Sequence, residues 1–273
     1  MKGCLQSILF FVVVVVIINV IINLLDTGPS SEDRSYYDVG SVCDEFLQEN
    51  AVTGDRIHQR EWHVYERNET FCMSYESLDS INRNHELVRR GIRVRYTEVN
   101  FWGTIYAHLV ELGRLNLDYL ADSLINVALE KSLSKMDLAR LTVSFVQDIP
   151  YSFVLPVPCS EYETNGTPCL GGIPYGIISP YEFVHSMYGD CDTRAVLLYV
   201  LLEKMNYDPM IVVSNQYAHA MIALNMPAQG DHISFAGKKY YFWETTTTGW
   251  PLGMLPPDTN NIDYCEIALV NES

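Results

Sequence analysis

A cysteine between two aspartates precedes a long apolar stretch in the segment "GDCDTRAVLLYVLLEKM" (189–205). From Ala195 to Leu202 this stretch has no polar face, so we expect a helix that other elements enclose. Cys191 would lie at the N-terminus of the helix, where unpaired N–H groups and the positive end of the helix dipole favour a thiolate. The same N–H groups could stabilise an oxyanion on a substrate carbonyl. A small buried core residue is the alternative for this cysteine.

The residues beside Cys191 have opposing effects on it. Gly189 removes a side chain where the chain must turn sharply. Asp190 and Asp192 suit the start of a helix, but their negative charges oppose formation of a thiolate. From these residues alone a buried core cysteine is the simpler interpretation, and the nucleophile is a hypothesis that other residues must support.

Two other polar residues, His219 and Glu244, occur in apolar segments with a period of two. These segments are "YAHAMIAL" (217–224) and "YYFWETT" (240–246), and both predict strands. A buried imidazole and a buried carboxylate each need a partner, so a satisfied core residue is the simple interpretation of either one alone. Together with Cys191, however, they supply a nucleophile, a base and a group that orients the base.

The elements that would position these residues are helices followed by strands, which is an α+β plan. Helices are predicted over 116–133 and 134–149, the second capped by Ser134, and a short helix should begin after Ser179. Strands are predicted over 208–214, 217–224 and 238–246. Further upstream, 58–77 predicts a hairpin that turns at Arg67 and Asn68. Between 150 and 179 a proline-containing loop is long enough to have a functional or lid role.

The chain divides into four predicted parts. Residues 1–25 contain an uncharged run, 5–25, of the length that spans a bilayer, and we interpret it as an anchor. Lys2 precedes the run and acidic residues follow it, so the bulk of the chain should lie outside the cytoplasm. A cleaved signal peptide is the alternative. A linker (26–40), a hairpin and helical region (41–135) and a C-terminal domain (136–273) follow.

The chain contains seven cysteines. Cys4 belongs to the predicted anchor, and Cys191 is the candidate nucleophile. Of the remaining five, an odd number, at least one should be free, and an extracytoplasmic compartment permits disulfides between the others. Cys159 and Cys169, which bracket a loop with glycine and proline, are the predicted pair. No spacing of cysteine and histidine suggests a zinc site.

Residues from about 141 to 257 resemble the transglutaminase-like superfamily, a branch of the papain-like thiol enzymes. Four segments carry the resemblance: "FVQDIPY" (145–151), "GDCDTRAVLLYVLLEKMNYDP" (189–209), "HAMIAL" (219–224) and "YYFWETTTTGWPLG" (240–253). Within this superfamily the chain is most similar to membrane-anchored bacterial proteins with such a domain.

The resemblance implies a papain/transglutaminase-like core in which a buried helix with the cysteine packs on an antiparallel sheet. It implies that Cys191 is the nucleophile, His219 the general base and Glu244 the orienting group, a position where the family more often has Asp. Gln147 is a candidate amide donor for the oxyanion, with a helix-surface glutamine as the alternative.

The chemistry that follows is acyl transfer or hydrolysis at peptide or side-chain amides. Peptides, proteins or amine-bearing molecules are the expected substrates, and no metal or organic cofactor is implied. A catalytically inactive binding module at the cell envelope is the alternative. The formal net charge of −16 argues against nucleic acid as a partner, because binding phosphates requires clustered Lys and Arg.

Overall fold

The structure is a computed structural model that describes residues 43–271. The predicted anchor and linker lie outside the described residues. Within the described part of the chain, no helix is both long enough and apolar enough to cross a bilayer.

The described residues form six α-helices and ten strands. In chain order these are β1 (Phe46–Glu49), β2 (Arg56–Val64), β3 (Glu69–Ser77), α1 (Asp79–Gly91), α2 (Phe101–Arg114), α3 (Asp118–Glu130), α4 (Lys135–Gln147), β4 (Phe153–Val154), β5 (Cys169–Leu170), α5 (Pro180–Ser186), α6 (Cys191–Lys204), β6 (Pro209–Ser214), β7 (His219–Leu224), β8 (His232–Phe235), β9 (Lys238–Trp243) and β10 (Glu266–Val270). The α+β class predicted from the sequence is confirmed, and so are the helices that follow Ser134 and Ser179, each capped by that serine.

Helix α6 is the centre of the structure. Every residue from Thr193 to Leu202 is buried, which confirms the prediction of an enclosed helix. Helices α2, α3, α4 and α5 surround it together with strands β6 and β7. An all-apolar helix needs cover on every side, because each exposed apolar side chain would forgo the free energy gained by leaving water.

Five antiparallel strands form the sheet beneath α6, in the order β10-β6-β7-β9-β8. Strand β6 is buried along its whole length, and β7 is buried after its first residue. Ala220, Ile222 and Leu224 of β7 belong to the main core with α6. Met221 and Ala223 belong to a second core on the opposite face of the sheet. This alternation is the predicted one, and it buries both faces of the sheet.

A separate three-stranded antiparallel sheet, β1-β2-β3, packs on the helices. The predicted hairpin of β2 and β3 is confirmed, and Asn68 in its turn has a positive φ of 49°. The Trp62 indole donates a hydrogen bond to the Leu141 carbonyl at 3.1 Å, and its ring meets Phe145 edge-on at 5.1 Å. The hairpin therefore covers the outer side of α4.

Two disulfides lie within the described residues. The predicted Cys159–Cys169 bond is confirmed, and it closes a loop that lies between the short parallel strands β4 and β5. Cys43 is bonded to Cys72 of β3. Cys265 is free, in agreement with the odd number of cysteines.

A buried polar chain joins the hairpin to helix α5. Ser77 hydrogen-bonds to His58 Nε2 at 3.2 Å and to His185 Nδ1 at 2.9 Å. All three residues are buried, and His58 stacks on the Tyr75 ring at 4.6 Å. The Arg56 guanidinium donates to the His185 carbonyl at 2.9 Å. These contacts hold α5, and with it the turn that leads into Cys191, against the hairpin.

The buried imidazole of His58 should make folding sensitive to acid. Burial, and then the charges of His185, Arg56 and Arg60, lower the pKa of His58 from 6.5 to about 4. Between pH 6.5 and about 4 the unfolded chain therefore binds a proton that the folded protein excludes. The free energy of unfolding is thus highest above pH 6.5 and decreases as the pH falls to about 4. For one imidazole the loss is roughly 3 kcal/mol.

We expect His58→Gln to lose less free energy of unfolding between these pH values than the wild type, in urea titrations at several pH values. The loss should be reduced and not abolished, because buried His85 and His185 also have lowered pKa values. His108→Gln, at an exposed position of α2, is the control and should follow the wild type. Equal pH dependence in His58→Gln and the wild type would contradict this prediction.

Candidate active site

Helix α6 begins at a turn that has little room for side chains. Asp190 is the N-cap: its carboxylate accepts hydrogen bonds from the Thr193 backbone N–H at 3.2 Å and from the Thr193 hydroxyl at 2.9 Å. A Cβ atom on Gly189 would lie 2.7 Å from the ring of Phe183, which is itself fully buried. Glycine is required here by this close approach, and the cap then fixes Cys191 as the first residue of the helix.

The structure brings His219 and Glu244 together, with His219 Nε2 2.9 Å from Glu244 Oε2. The pairing of β7 with β9 sets Ile222 opposite Trp243. Trp243 is the last residue of β9, so the strand predicted over 238–246 ends three residues early and Glu244 lies directly after it. This position brings Glu244 alongside the first half of β7, which begins at His219, and the two side chains meet there.

Glu244 is held by more than His219. Its Oε1 accepts hydrogen bonds from the N–H groups of Thr245 and Thr246, at 2.8 and 2.7 Å, and from the Thr246 hydroxyl at 2.5 Å. Burial alone would raise the pKa of Glu244, but the hydrogen bonds from His219 and Thr246 and the charge of His219 lower it to about 2. The carboxylate is thus ionised and fixed, and it orients the imidazole by accepting from Nε2. Nδ1 is the ring nitrogen left for a proton transfer.

Cys191 lies beside the strand that carries His219. Its side chain is buried, with 8 % of the residue exposed. The backbone N–H groups of Ala220 and Asp192 both act on the sulfur and favour its charged form. Since Ala220 directly follows His219, these contacts place the thiol at the start of β7. The structure therefore brings all three predicted residues to one end of α6.

The thiol of Cys191 is nevertheless neutral at ordinary pH. Burial raises its pKa well above the usual value, and the charges of Asp192 and then Asp190 raise it further. The prediction that the two aspartates oppose the thiolate is confirmed. Burial, followed by repulsion from Asp192, also raises the pKa of Asp190 to about 7.

Arg194 ties the elements of the site together. Its guanidinium is fully buried and donates to the carbonyl of Val146, in the last turn of α4, at 2.8 Å and to that of Ile149, just after α4, at 2.5 Å. A longer hydrogen bond, 3.4 Å, reaches the carbonyl of Thr245, next to Glu244. The cysteine helix and the segment of Glu244 are thus joined through one cation. This role of Arg194 could not be predicted from the sequence, because an arginine in the first turn of a helix is also compatible with a solvent-exposed position.

Gln147 is buried, so the alternative of a helix-surface glutamine is wrong. Its side-chain amide donates to the carbonyls of Glu244 at 2.6 Å and Trp250 at 3.3 Å. Both of these bonds hold the segment around Glu244. Gln147 is therefore placed to support the orienting carboxylate, with its N–H groups directed to the backbone.

Tyr106 and Tyr151 are site residues that sequence reasoning missed. The Tyr106 hydroxyl donates to Asp192 Oδ1. Tyr151 stands 5.7 Å beneath the Arg194 guanidinium, and its hydroxyl interacts with the backbone N–H of Cys191. Tyr151 lies in segment 145–151, one of the four that carry the family resemblance. No local pattern around Tyr106 indicates its contact with Asp192.

Among residues 43–271, no group of three or more His, Cys, Asp or Glu side chains is arranged to hold a metal ion. No family model, no curated protein and no solved structure matches the chain.

Gly189→Ala tests the tight turn before Cys191. The added Cβ must displace the buried Phe183 ring or the backbone, so we expect the free energy of unfolding to fall by about 1–3 kcal/mol. Gly91→Ala is the control, because a Cβ there meets nothing within 4 Å. Denaturant unfolding followed by fluorescence measures both. Equal stability of the two variants would contradict the close packing of this turn.

Proposed function

We propose that this protein is a thiol-dependent acyltransferase or hydrolase of the transglutaminase-like type, acting on peptide or side-chain amides. Cys191 is the nucleophile, His219 the general base and Glu244 the orienting carboxylate. The observation that carries the proposal is the 2.9 Å contact between His219 and an ionised Glu244, at the end of the helix that begins with Cys191. Nucleophilic catalysis requires a base held by an orienting group, and Ala220, which directly follows His219, has its backbone N–H at the Cys191 sulfur.

The reaction would begin with attack of the Cys191 sulfur on an amide carbonyl, while the thiol proton moves to His219 Nδ1. The resulting tetrahedral intermediate collapses when the carbon–nitrogen bond breaks, and the imidazolium gives its proton to the leaving amine. A thioester remains on Cys191. Water resolves it in a hydrolase and a second amine resolves it in a transferase, and in both cases His219 removes a proton from the attacking group.

Because the thiol is neutral, His219 must act during the attack and not before it. Burial and the two aspartates disfavour a preformed thiolate. A general base that takes the proton as the carbon–sulfur bond forms avoids a free thiolate in this acidic environment. The role of Glu244 is then to stabilise the imidazolium that appears in that step.

The raised pKa of Cys191 also favours a second candidate, a catalytically inactive transglutaminase-like module that binds peptides or envelope fragments. In such a module the polar residues of the site would have packing roles. Retained peptide binding by calorimetry, together with no product from any substrate, would favour this candidate over the enzyme.

We also propose that the chain is anchored in a membrane through residues 5–25, with the domain on the extracytoplasmic side. The uncharged run and the acidic residues that follow it support this topology. Two disulfides in the folded domain support an oxidising compartment, since such bonds are rare in the cytosol.

Catalysis is tested with two assays on the full chain in detergent. One measures hydrolysis of quenched fluorescent peptides, and the other measures transfer of a fluorescent primary amine to a glutamine peptide. We expect Cys191→Ala to abolish product formation. His219→Ala should lower kcat/KM by at least about 10²-fold, and Glu244→Gln should have a similar effect.

Cys265→Ala, which removes the other free cysteine of the described residues, is the matched control and should retain activity. Full activity in Cys191→Ala would contradict the proposed nucleophile. Product in the first assay alone identifies a hydrolase, and product in the second identifies a transferase.

The proposed compartment is tested by counting thiols. Protein isolated from membranes in the presence of a maleimide should gain four further maleimide additions after reduction, because two disulfides hold four cysteines. Intact mass measurement gives the count. Full labelling before reduction would contradict an oxidising location.

A further inference from the structure

Asp192 contacts the candidate nucleophile directly. The Cys191 thiol donates to Asp192 Oδ2, with the sulfur 3.9 Å from the oxygen. The other carboxylate oxygen, Oδ1, accepts from the Tyr106 hydroxyl. Asp192 therefore bridges the Cys191 thiol at the start of α6 and Tyr106 of α2, which are 85 residues apart in sequence.

Tyr106 is a fixed donor. It is fully buried, and its ring stacks on Trp102 at a distance of 5.9 Å. Burial, and then the charge of Asp192, raise the pKa of Tyr106 well above its usual value, so the hydroxyl keeps its proton and donates. A fixed donor on Oδ1 turns the second oxygen of Asp192 toward Cys191.

We infer that Asp192, positioned by Tyr106, regulates the proposed active site by holding the Cys191 thiol in its protonated form and thereby setting the pH at which the cysteine becomes nucleophilic. Asp192 is a positioning residue in this role, because it acts through Cys191. The inference rests on the proposed function.

The charges around the thiol determine the size of the effect. Asp192 acts together with the groups that face the thiol from the other elements: Asp190 before α6, Tyr151 before β4, Tyr106 on α2, Arg194 on α6 and His219 on β7, with Glu244 behind His219. Of these, Asp192 is the charge with the largest effect on Cys191, after burial itself.

The same carboxylate has an opposite effect on His219. Asp192 and His219 interact electrostatically, and a carboxylate attracts the positive charge that a transferred proton brings to the ring. When the thiol proton moves to His219, Asp192 therefore repels the new thiolate and attracts the new imidazolium. The two effects partly cancel within the transfer. Complete loss of the proton to solvent has no such compensation, so Asp192 suppresses a free thiolate more strongly than it suppresses catalysis.

The test is the pH profile of alkylation by iodoacetamide, measured on the Cys191 peptide by mass spectrometry after reaction of the full chain. Asp192→Asn keeps an oxygen that can accept from Tyr106, but it removes the charge and can direct an N–H group at the sulfur. We expect the alkylation midpoint to fall by about one to three pH units, the range that a single neighbouring charge produces. Asp192→Glu restores the charge and should move the midpoint back toward the wild-type value.

Asp208→Asn is the matched control. Asp208 also accepts from a tyrosine hydroxyl, that of Tyr240 at 3.0 Å, but it follows the opposite end of α6. Its replacement should leave the Cys191 midpoint unchanged. A profile of Asp192→Asn that coincides with the wild type, or an equal shift in Asp208→Asn, overturns the inference.

One measurement needs no variant. In the wild-type protein the Cys191 midpoint should lie above the ordinary thiol value of about 8.5, and a midpoint at or below that value overturns the inference. Alkylation reports the state of the thiol without any substrate. Catalytic turnover combined with an unshifted alkylation midpoint in Asp192→Asn would therefore contradict the inference alone. A shifted midpoint combined with no turnover by the wild type would contradict the proposed function alone.

Discussion

Burial of helix α6 is the constraint on which the rest of the structure depends. A helix that is apolar on all sides is stable in water only when other elements cover every side, and four helices and two strands of the sheet do so here. The cover is discontinuous in sequence, since it comes from α2, α3, α4, α5, β6 and β7. Cys191 is the first residue of this helix, so the packing that satisfies the core also defines the position of the sulfur.

The same burial creates an electrostatic problem at the N-terminal end of α6. Asp190, Asp192 and Glu244 are three carboxylates of the candidate site with different hydrogen-bond partners. Glu244 is surrounded by donors and stays ionised, whereas the pKa of Asp190 rises to about 7. Asp192 accepts from the Tyr106 hydroxyl and the Cys191 thiol, and burial raises its pKa as well. Neighbouring carboxylates with different environments can thus serve different roles in one site.

The sequence was most informative where one local pattern determines one outcome. The period-two segments predicted β7 and β9, and the contact of His219 with Glu244 lies at the start of β7 and just after the end of β9. Ser134 and Ser179 marked helix starts because a cap is a local interaction. The apolar run after Cys191 predicted the enclosed helix for the same reason: its pattern needs no partner to be recognised.

The parts that could not be predicted depend on residues far apart in the chain. The contact of Tyr106 with Asp192 and the bonds of Arg194 to the end of α4 join elements whose relative placement no local pattern encodes. Gln147 shows the same limit, because a glutamine at the end of a helix is usually exposed and only the tertiary arrangement buries this one. Helices α1 and α2 and strands β1, β8 and β10 also went unpredicted, although both helices are amphipathic.

The bond between Cys43 and Cys72 has a mechanical consequence if a force acts on the chain that precedes Cys43. Cys43 stands at the beginning of the described residues, three positions before β1, and Cys72 lies in the middle of β3. A force applied to the chain before Cys43 is transmitted through this disulfide to β3 of the hairpin. It therefore does not break the hydrogen bonds between β1 and β2 one after another. The load is then shared across the hairpin that packs on α4. A domain held at one end would in this way keep its candidate site intact under tension.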